Sequence, residues 1–186
     1  VVWLLEGTGR IMPGWPQVLP PAVDPPNPGS VFSSPALADL DGDRLPEVVV
    51  ADNAYAVHAW HADGRPVAGW PVPVTNRARA GYGGVALGDL DVDGRTEVIV
   101  ASEHGFSGPA TVSVFGPDGV LELGWPYVLP EPCNVGAALG DLTGDHLPEV
   151  VVATIGGDAV VVALEGVTGR PAPGWPVRLR AETVNA

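Results

Sequence analysis

Three short stretches of this chain carry oxygen-bearing side chains at the same loop positions, 1, 3, 5 and 9. They are Asp39, Asp41, Asp43 and Glu47, then Asp89, Asp91, Asp93 and Glu97, then Asp141, Thr143, Asp145 and Glu149. Alternate residues of a tight loop can point inward together, and hard cations such as calcium take six to eight oxygen ligands at about 2.3–2.6 Å. Bare carboxylates held that close repel one another. The spacing therefore predicts bound divalent cations rather than three solvated turns. The closing Glu at position 9 instead of 12, with no flanking helix, separates these loops from EF-hands.

The charge balance agrees. The 186 residues carry 9 basic and 22 acidic side chains, a net charge of −13, which makes nucleic acid and anionic membranes poor partners. Eleven of the 22 carboxylates sit in the three loops, so the acidity reads as ligand chemistry rather than as an acidic tail. No apolar run is long enough for a membrane helix, so no membrane insertion is expected. Cys133 is the lone cysteine, which excludes an internal disulfide framework. Gly 25 and Pro 21 are high, yet 46% hydrophobic content and Val-rich runs such as 48–50 and 160–162 demand burial. Many short strands joined by turns reconcile the two.

The elements that position the loops repeat with them. The first Asp recurs at 39, 89 and 141, and Gly-Trp-Pro recurs around Trp15, Trp70, Trp125 and Trp175. A Gly-containing turn precedes each Trp, at residues 6–9, 63–64, 118–119 and 167–169. One repeat then reads as four strands. Strand A is the small-residue run 34–38, 84–88 or 137–140, and the acidic loop follows it. Strand B is 47–51, 97–101 or 149–153, strand C is 56–60, 111–115 or 159–164, and strand D is 72–74, 127–129 or 177–179. Periods near 50 residues with four short strands describe a β-propeller blade. Small residues suit the crowded innermost strand, and strand-D prolines suit an outer edge.

The predicted fold is thus all-β: a propeller of four-stranded antiparallel blades, with about three and a half blades present. Residues 1–186 form a single propeller region, with blades at 30–75, 81–130 and 135–180, and residues 1–20 supply only strands C and D. Residue 1 falls inside a strand, so the expectation is a fragment of a longer parent chain that supplies the remaining blades. Other copies of the chain are the alternative source.

The run Ser34-Pro35-Ala36-Leu37-Ala38 into the first loop, the following 48–51, and Asp63-Gly64 with Gly69-Trp70-Pro71 resemble the FG-GAP repeats, also called integrin-alpha-like or VCBS-type repeats. The resemblance returns at every repeat. It implies a nine-residue calcium loop between strands A and B, on one face of the propeller. It also implies that the position-7 carbonyls of Leu45, Arg95 and Leu147 join the side-chain ligands. The family favours Gly at positions 4 and 6, where this chain has Gly42 and Arg44, Val92 and Gly94, Gly144 and His146. A backbone there with φ > 0 would penalise Arg44 and His146. Two calcium ions are expected, in the first two loops. Thr143 makes the third the weakest.

On the opposite face, Arg77, Arg79 and Tyr82 approach Glu103, His104 and Phe106 of the next blade, a mixture suited to a polar ligand. Repetition of the four Gly-Trp-Pro tryptophans favours blade-to-blade packing over sugar stacking. His58, His61 and His104 lack zinc-site spacing, and no nucleophile elbow or phosphate loop is present. The expected function is a non-catalytic, calcium-binding module of an extracellular or cell-surface protein, a scaffold for protein or glycan partners or for cell adhesion. The alternatives are the propeller part of a secreted polysaccharide-degrading enzyme, and a structural surface or stalk component.

Overall fold

The computed structural model describes residues 1–23, 26–27, 30–74, 83–102, 110–155 and 159–179. After a two-stranded hairpin, β1 (Ala22–Val23) with β2 (Pro26–Asn27), come three four-stranded antiparallel sheets. The first is β3 (Ala36–Ala38), β4 (Glu47–Ala51), β5 (Ala56–Trp60) and β6 (Val72–Pro73). The second is β7 (Val85–Gly88), β8 (Glu97–Ser102), β9 (Thr111–Phe115) and β10 (Tyr127–Val128). The third is β11 (Ala138–Gly140), β12 (Glu149–Ala153), β13 (Val160–Glu165) and β14 (Val177–Arg178). Each sheet is ordered as its strands occur in sequence. The inner strands adjoin, β3 beside β7 and β7 beside β11. The sheets follow one another as propeller blades do, and the propeller is not closed. Among the described residues no helix is long and apolar enough to cross a membrane.

Several boundaries differ from the pattern. The inner strands start late. Pro35 offers no N–H to a ladder, and Gly84 sits at φ +78°, outside the extended region. The outer strands are two residues long. Even so, the next residues, Val74, Leu129 and Leu179, each donate an amide to a neighbouring carbonyl at 2.8 Å. Residues 1–20, expected to form two strands, hold short bridges at Val2–Gln17 and Leu5–Ile11 instead of continuous strands, with the Met12 amide donating to the Leu4 carbonyl between them (3.0 Å). The β1–β2 hairpin had no counterpart in the pattern.

The core lies between sheets, because each strand offers alternate side chains to opposite faces. Val48 and Val50 of β4 pack with Val2, Trp15 and Leu19, while Val49 and Ala51 pack with Val98 and Val100 of β8. Ile99 and Ala101 of β8 then pack with Val150 and Val152 of β12.

One joint recurs between blades. The indole N–H of Trp15 donates to the Ala62 carbonyl (2.9 Å), that of Trp70 to Pro117 (2.9 Å) and that of Trp125 to Gly166 (3.2 Å). Each acceptor lies in the turn between the third and fourth strands of the following sheet. Beside it two backbones meet so closely that a Cβ on either glycine would collide with the other strand, at Gly14 with Gly64, Gly69 with Gly119 and Gly124 with Gly169. Trp15, Trp70 and Trp125 are therefore packing residues.

In the turn after β4, Asp52 is fully buried. Its carboxylate accepts the amides of Ala54 (2.8 Å) and Ala56 (2.9 Å) and lies 2.8 Å from His58 Nε2. The His58 ring stacks on Trp60 at 5.1 Å.

Candidate metal centres

The acidic loops connect the first and second strands of each sheet. Strand β4, β8 or β12 begins at the closing Glu, so that side chain is anchored in the sheet while the Asp residues ride on the exposed loop. All three glutamates are buried, and each accepts the amide of loop position 2. Leu40 N–H donates to Glu47 Oε2 (2.7 Å), Leu90 N–H to Glu97 Oε2 (2.7 Å) and Leu142 N–H to Glu149 Oε2 (2.6 Å). The first Asp folds the loop by accepting later amides. Asp39 takes Gly42 and Arg44 at 2.8 Å each, and Asp141 takes Gly144 (2.6 Å) and His146 (3.0 Å). In the second loop Asp89 takes Asp93 (3.1 Å) and Gly94 (2.8 Å). The Asp at position 5 accepts the position-7 amide, Leu45 to Asp43 and Arg95 to Asp93 at 2.7 Å, and Leu147 to Asp145 at 3.0 Å.

These bonds wind the loop tightly enough to need φ > 0 at positions 4 and 6 in all three. Glycine supplies it at Gly42, Gly94 and Gly144, while Arg44 (71°), Val92 (61°) and His146 (75°) adopt it with a side chain. The penalty expected at Arg44 and His146 thus extends to Val92, a β-branched residue for which this conformation is an outlier.

Two loops bring their acids together. Oxygens of Asp39, Asp41 and Asp43 lie within 4.8 Å of one another, as do those of Asp89, Asp91 and Glu97. Ligands of one ion at about 2.4 Å can be separated by no more than about twice that, so both trios fit a single calcium-sized cation. The all-oxygen donor set suits a hard ion. Glu47 and Asp41 also converge with His61, whose Nδ1 is 3.3 Å from Glu47 and 3.9 Å from Asp41. Sequence spacing did not single out His61 as a neighbour of the loop, because it arrives from the turn after β5. The signal available was the placement of that turn and the loop on one face.

The third loop differs. Thr143 turns its hydroxyl onto Glu149 Oε1 (3.3 Å), and among the described residues no acidic trio converges there. The six residues suggested for a polar ligand, Arg77, Arg79, Tyr82, Glu103, His104 and Phe106, lie outside the described residues.

Electrostatics distinguish Glu97. Burial raises its carboxyl to about 7, aided by the charges of Asp91, Asp89 and Asp93 and opposed by the Leu90 amide. A cation in the trio would reverse that balance. Between the first two loops a cleft of about 540 Å³ is lined by Asp39, Asp41, His61, Arg95 and Asp118, giving this face both signs of charge.

The chain is similar in fold to the rhamnogalacturonan lyase YesW, with a TM-score of 0.60 and 15% identity over 98% of this chain and 37% of the lyase. It is also similar to the V. cholerae biofilm matrix protein Bap1, with a TM-score of 0.41 and 19% identity over 92% of this chain and 31% of that protein. It thus spans about a third of the length of either. No curated protein matches it. The FG-GAP-like repeat matches residues 39–100 and again 89–152, more than half of the sequence in register with the loops and sheets described above. The chain belongs to the FG-GAP-like repeat family.

Proposed function

We propose that the chain is a calcium-stabilised propeller module that serves as a non-catalytic interaction scaffold on an extracellular or cell-surface protein. The observation that carries the reading is the convergence of carboxylate oxygens within 4.8 Å in the first two loops. Asp39, Asp41 and Asp43 would hold one ion, completed by Glu47 and the Leu45 carbonyl. Asp89, Asp91 and Glu97 would hold the second, with Asp93 and the Arg95 carbonyl. A third ion, at Asp141, Thr143, Asp145, Glu149 and the Leu147 carbonyl, would bind most weakly because Thr143 contributes no charge. The ions neutralise acids that otherwise repel, and so lock the seams on one face of the propeller. Extracellular modules bind calcium at about 10⁻⁴–10⁻³ M, which the millimolar calcium outside cells fills. The mixed-charge cleft beside the first two loops offers a surface for a protein or glycan partner.

Calorimetric calcium titration with melting curves in chelator tests this. Two sites are expected, and calcium at about a hundredfold above Kd adds roughly 2.7 kcal/mol per site. Chelator should lower the melting temperature and calcium restore it. No binding heat and an unchanged melt would overturn the reading. The fold likeness to a rhamnogalacturonan lyase motivates a second reading, the propeller part of a polysaccharide-degrading enzyme. Turnover of rhamnogalacturonan in calcium would establish that reading in place of the first.

A further inference from the structure

His61 gives the first blade a nitrogen donor that the other two blades lack. It opens the turn between the third and fourth strands, where its amide donates to the Arg65 carbonyl at 2.9 Å. By the same bond Gly116 (to Val120, 2.8 Å) and Glu165 (to Arg170, 2.8 Å) are its counterparts in the second and third sheets, and neither carries an imidazole. Of the side-chain trios that converge within 4.8 Å among the described residues, Asp41, Glu47 and His61 form the one that contains nitrogen. The turn is held in place from outside, since the Ala62 carbonyl next to His61 accepts the Trp15 indole at 2.9 Å.

Both carboxylates are held so that one oxygen faces the ring. Glu47, 1% exposed, accepts the Leu40 amide at Oε2 (2.7 Å) and turns Oε1 to His61 Nδ1 (3.3 Å). Asp41 accepts the Asp43 amide at Oδ1 (3.2 Å), and its Oδ2 lies 3.9 Å from the same nitrogen. Backbone amides on the remaining oxygens are the outer-shell bonds that orient ligating carboxylates. Ligands of a tetrahedral ion at about 2.1 Å lie about 3.4 Å apart. The Nδ1–Oε1 separation already matches such an edge, and Asp41 has only about half an ångström to close. A cavity of about 420 Å³ opens over the three side chains and leaves room for water as a fourth ligand.

We propose that Asp41, Glu47 and His61 bind a nitrogen-seeking divalent ion of the zinc type. Imidazole suits zinc, copper, iron and nickel, whereas calcium takes oxygen ligands. The histidine thus separates the two acidic loops by metal preference. Asp41 and Glu47 are also among the proposed calcium ligands of the first loop, so zinc and calcium exclude one another there. The second loop, with oxygen donors alone, keeps calcium. Zinc binding by the trio does not itself depend on the calcium reading.

Calorimetric titration of the full, metal-stripped chain with zinc chloride, with and without millimolar calcium, tests the proposal. Wild type is expected to bind one zinc ion through this trio, and zinc to displace one calcium ion. His61→Ala should weaken zinc binding at least about tenfold and leave calcium affinity within about twofold, because calcium takes oxygen ligands. His146→Ala removes the exposed imidazole 3.9 Å from Asp141 in the third loop and should leave zinc binding unchanged. Matching melting curves without metal confirm that both variants fold. Cobalt(II) used in place of zinc should give a visible d–d absorption in wild type that His61→Ala loses. Absence of zinc binding in wild type overturns the proposal, as does a zinc affinity that His61→Ala leaves unchanged; the 3.3 Å contact is then a hydrogen bond only. Calcium titrations of the same samples keep the two readings apart. Zinc binding without calcium binding overturns the calcium reading alone, and calcium binding without zinc binding overturns this one alone.

Discussion

Glu97 closes the second acidic loop by accepting the amide of Leu90 at 2.7 Å, and it does so from a buried position where its carboxyl titrates near 7. Folding raises this group from 4.5, so the metal-free protein takes up a proton there on folding. The stability it contributes is fully present below about 4.5 and is lost as pH rises through about 7. The proposed calcium binding would have the opposite dependence, since an ion must displace that proton. Calorimetry between pH 5.5 and 8 should show affinity at this loop rising with pH and levelling off above about 7, with proton release at the lower values. Glu97→Gln should weaken binding and abolish the pH dependence.

Val92 is held at φ 61° with its side chain in solvent, so it contributes strain without packing. Such a conformation costs of order 1–3 kcal/mol. Val92→Asn should raise the denaturation midpoint by the equivalent of about 1 kcal/mol, and Val92→Gly by somewhat less, because glycine also loosens the unfolded chain. A stability equal to or below wild type in both would show that the loop is unstrained.

Trp70 and Trp175 occupy equivalent places with different surroundings. Trp70→Phe keeps most of the buried ring but leaves the Pro117 carbonyl without its donor, a loss of about 1 kcal/mol or slightly more in urea unfolding. Trp175→Phe, at an indole with no acceptor among the described residues, should change stability by less than about 0.5 kcal/mol.

Asp52 serves three donors from a buried site. Asp52→Ala strands the amides of Ala54 and Ala56 together with His58, and the loss should exceed about 2 kcal/mol in chemical denaturation. A smaller change would mean that water replaces the carboxylate and that the turn is open.

The sequence made the strands and loops legible wherever the determinant was local. Strands β4, β5, β9 and β12 span the predicted residues, because a Val-rich run bounded by turn residues needs nothing else to define it. The loop acids were equally legible, since they recur at the same positions of each repeat. What escaped the pattern depends on where chain segments meet. His61 lies fourteen residues from Glu47 in the chain but 3.3 Å away in space. Nothing in the sequence marks Gly69 of the second Gly-Trp-Pro for its close approach to Asp118 and Gly119 of the next sheet. The tryptophan pattern repeats four times, yet only packing distinguishes the three indoles with an acceptor from Trp175, which has none among the described residues. Residue types and periods follow from covalent neighbours and can be read along the chain. The joints between blades arise from contacts across some 40 to 50 residues, and only the folded arrangement of the sheets creates them.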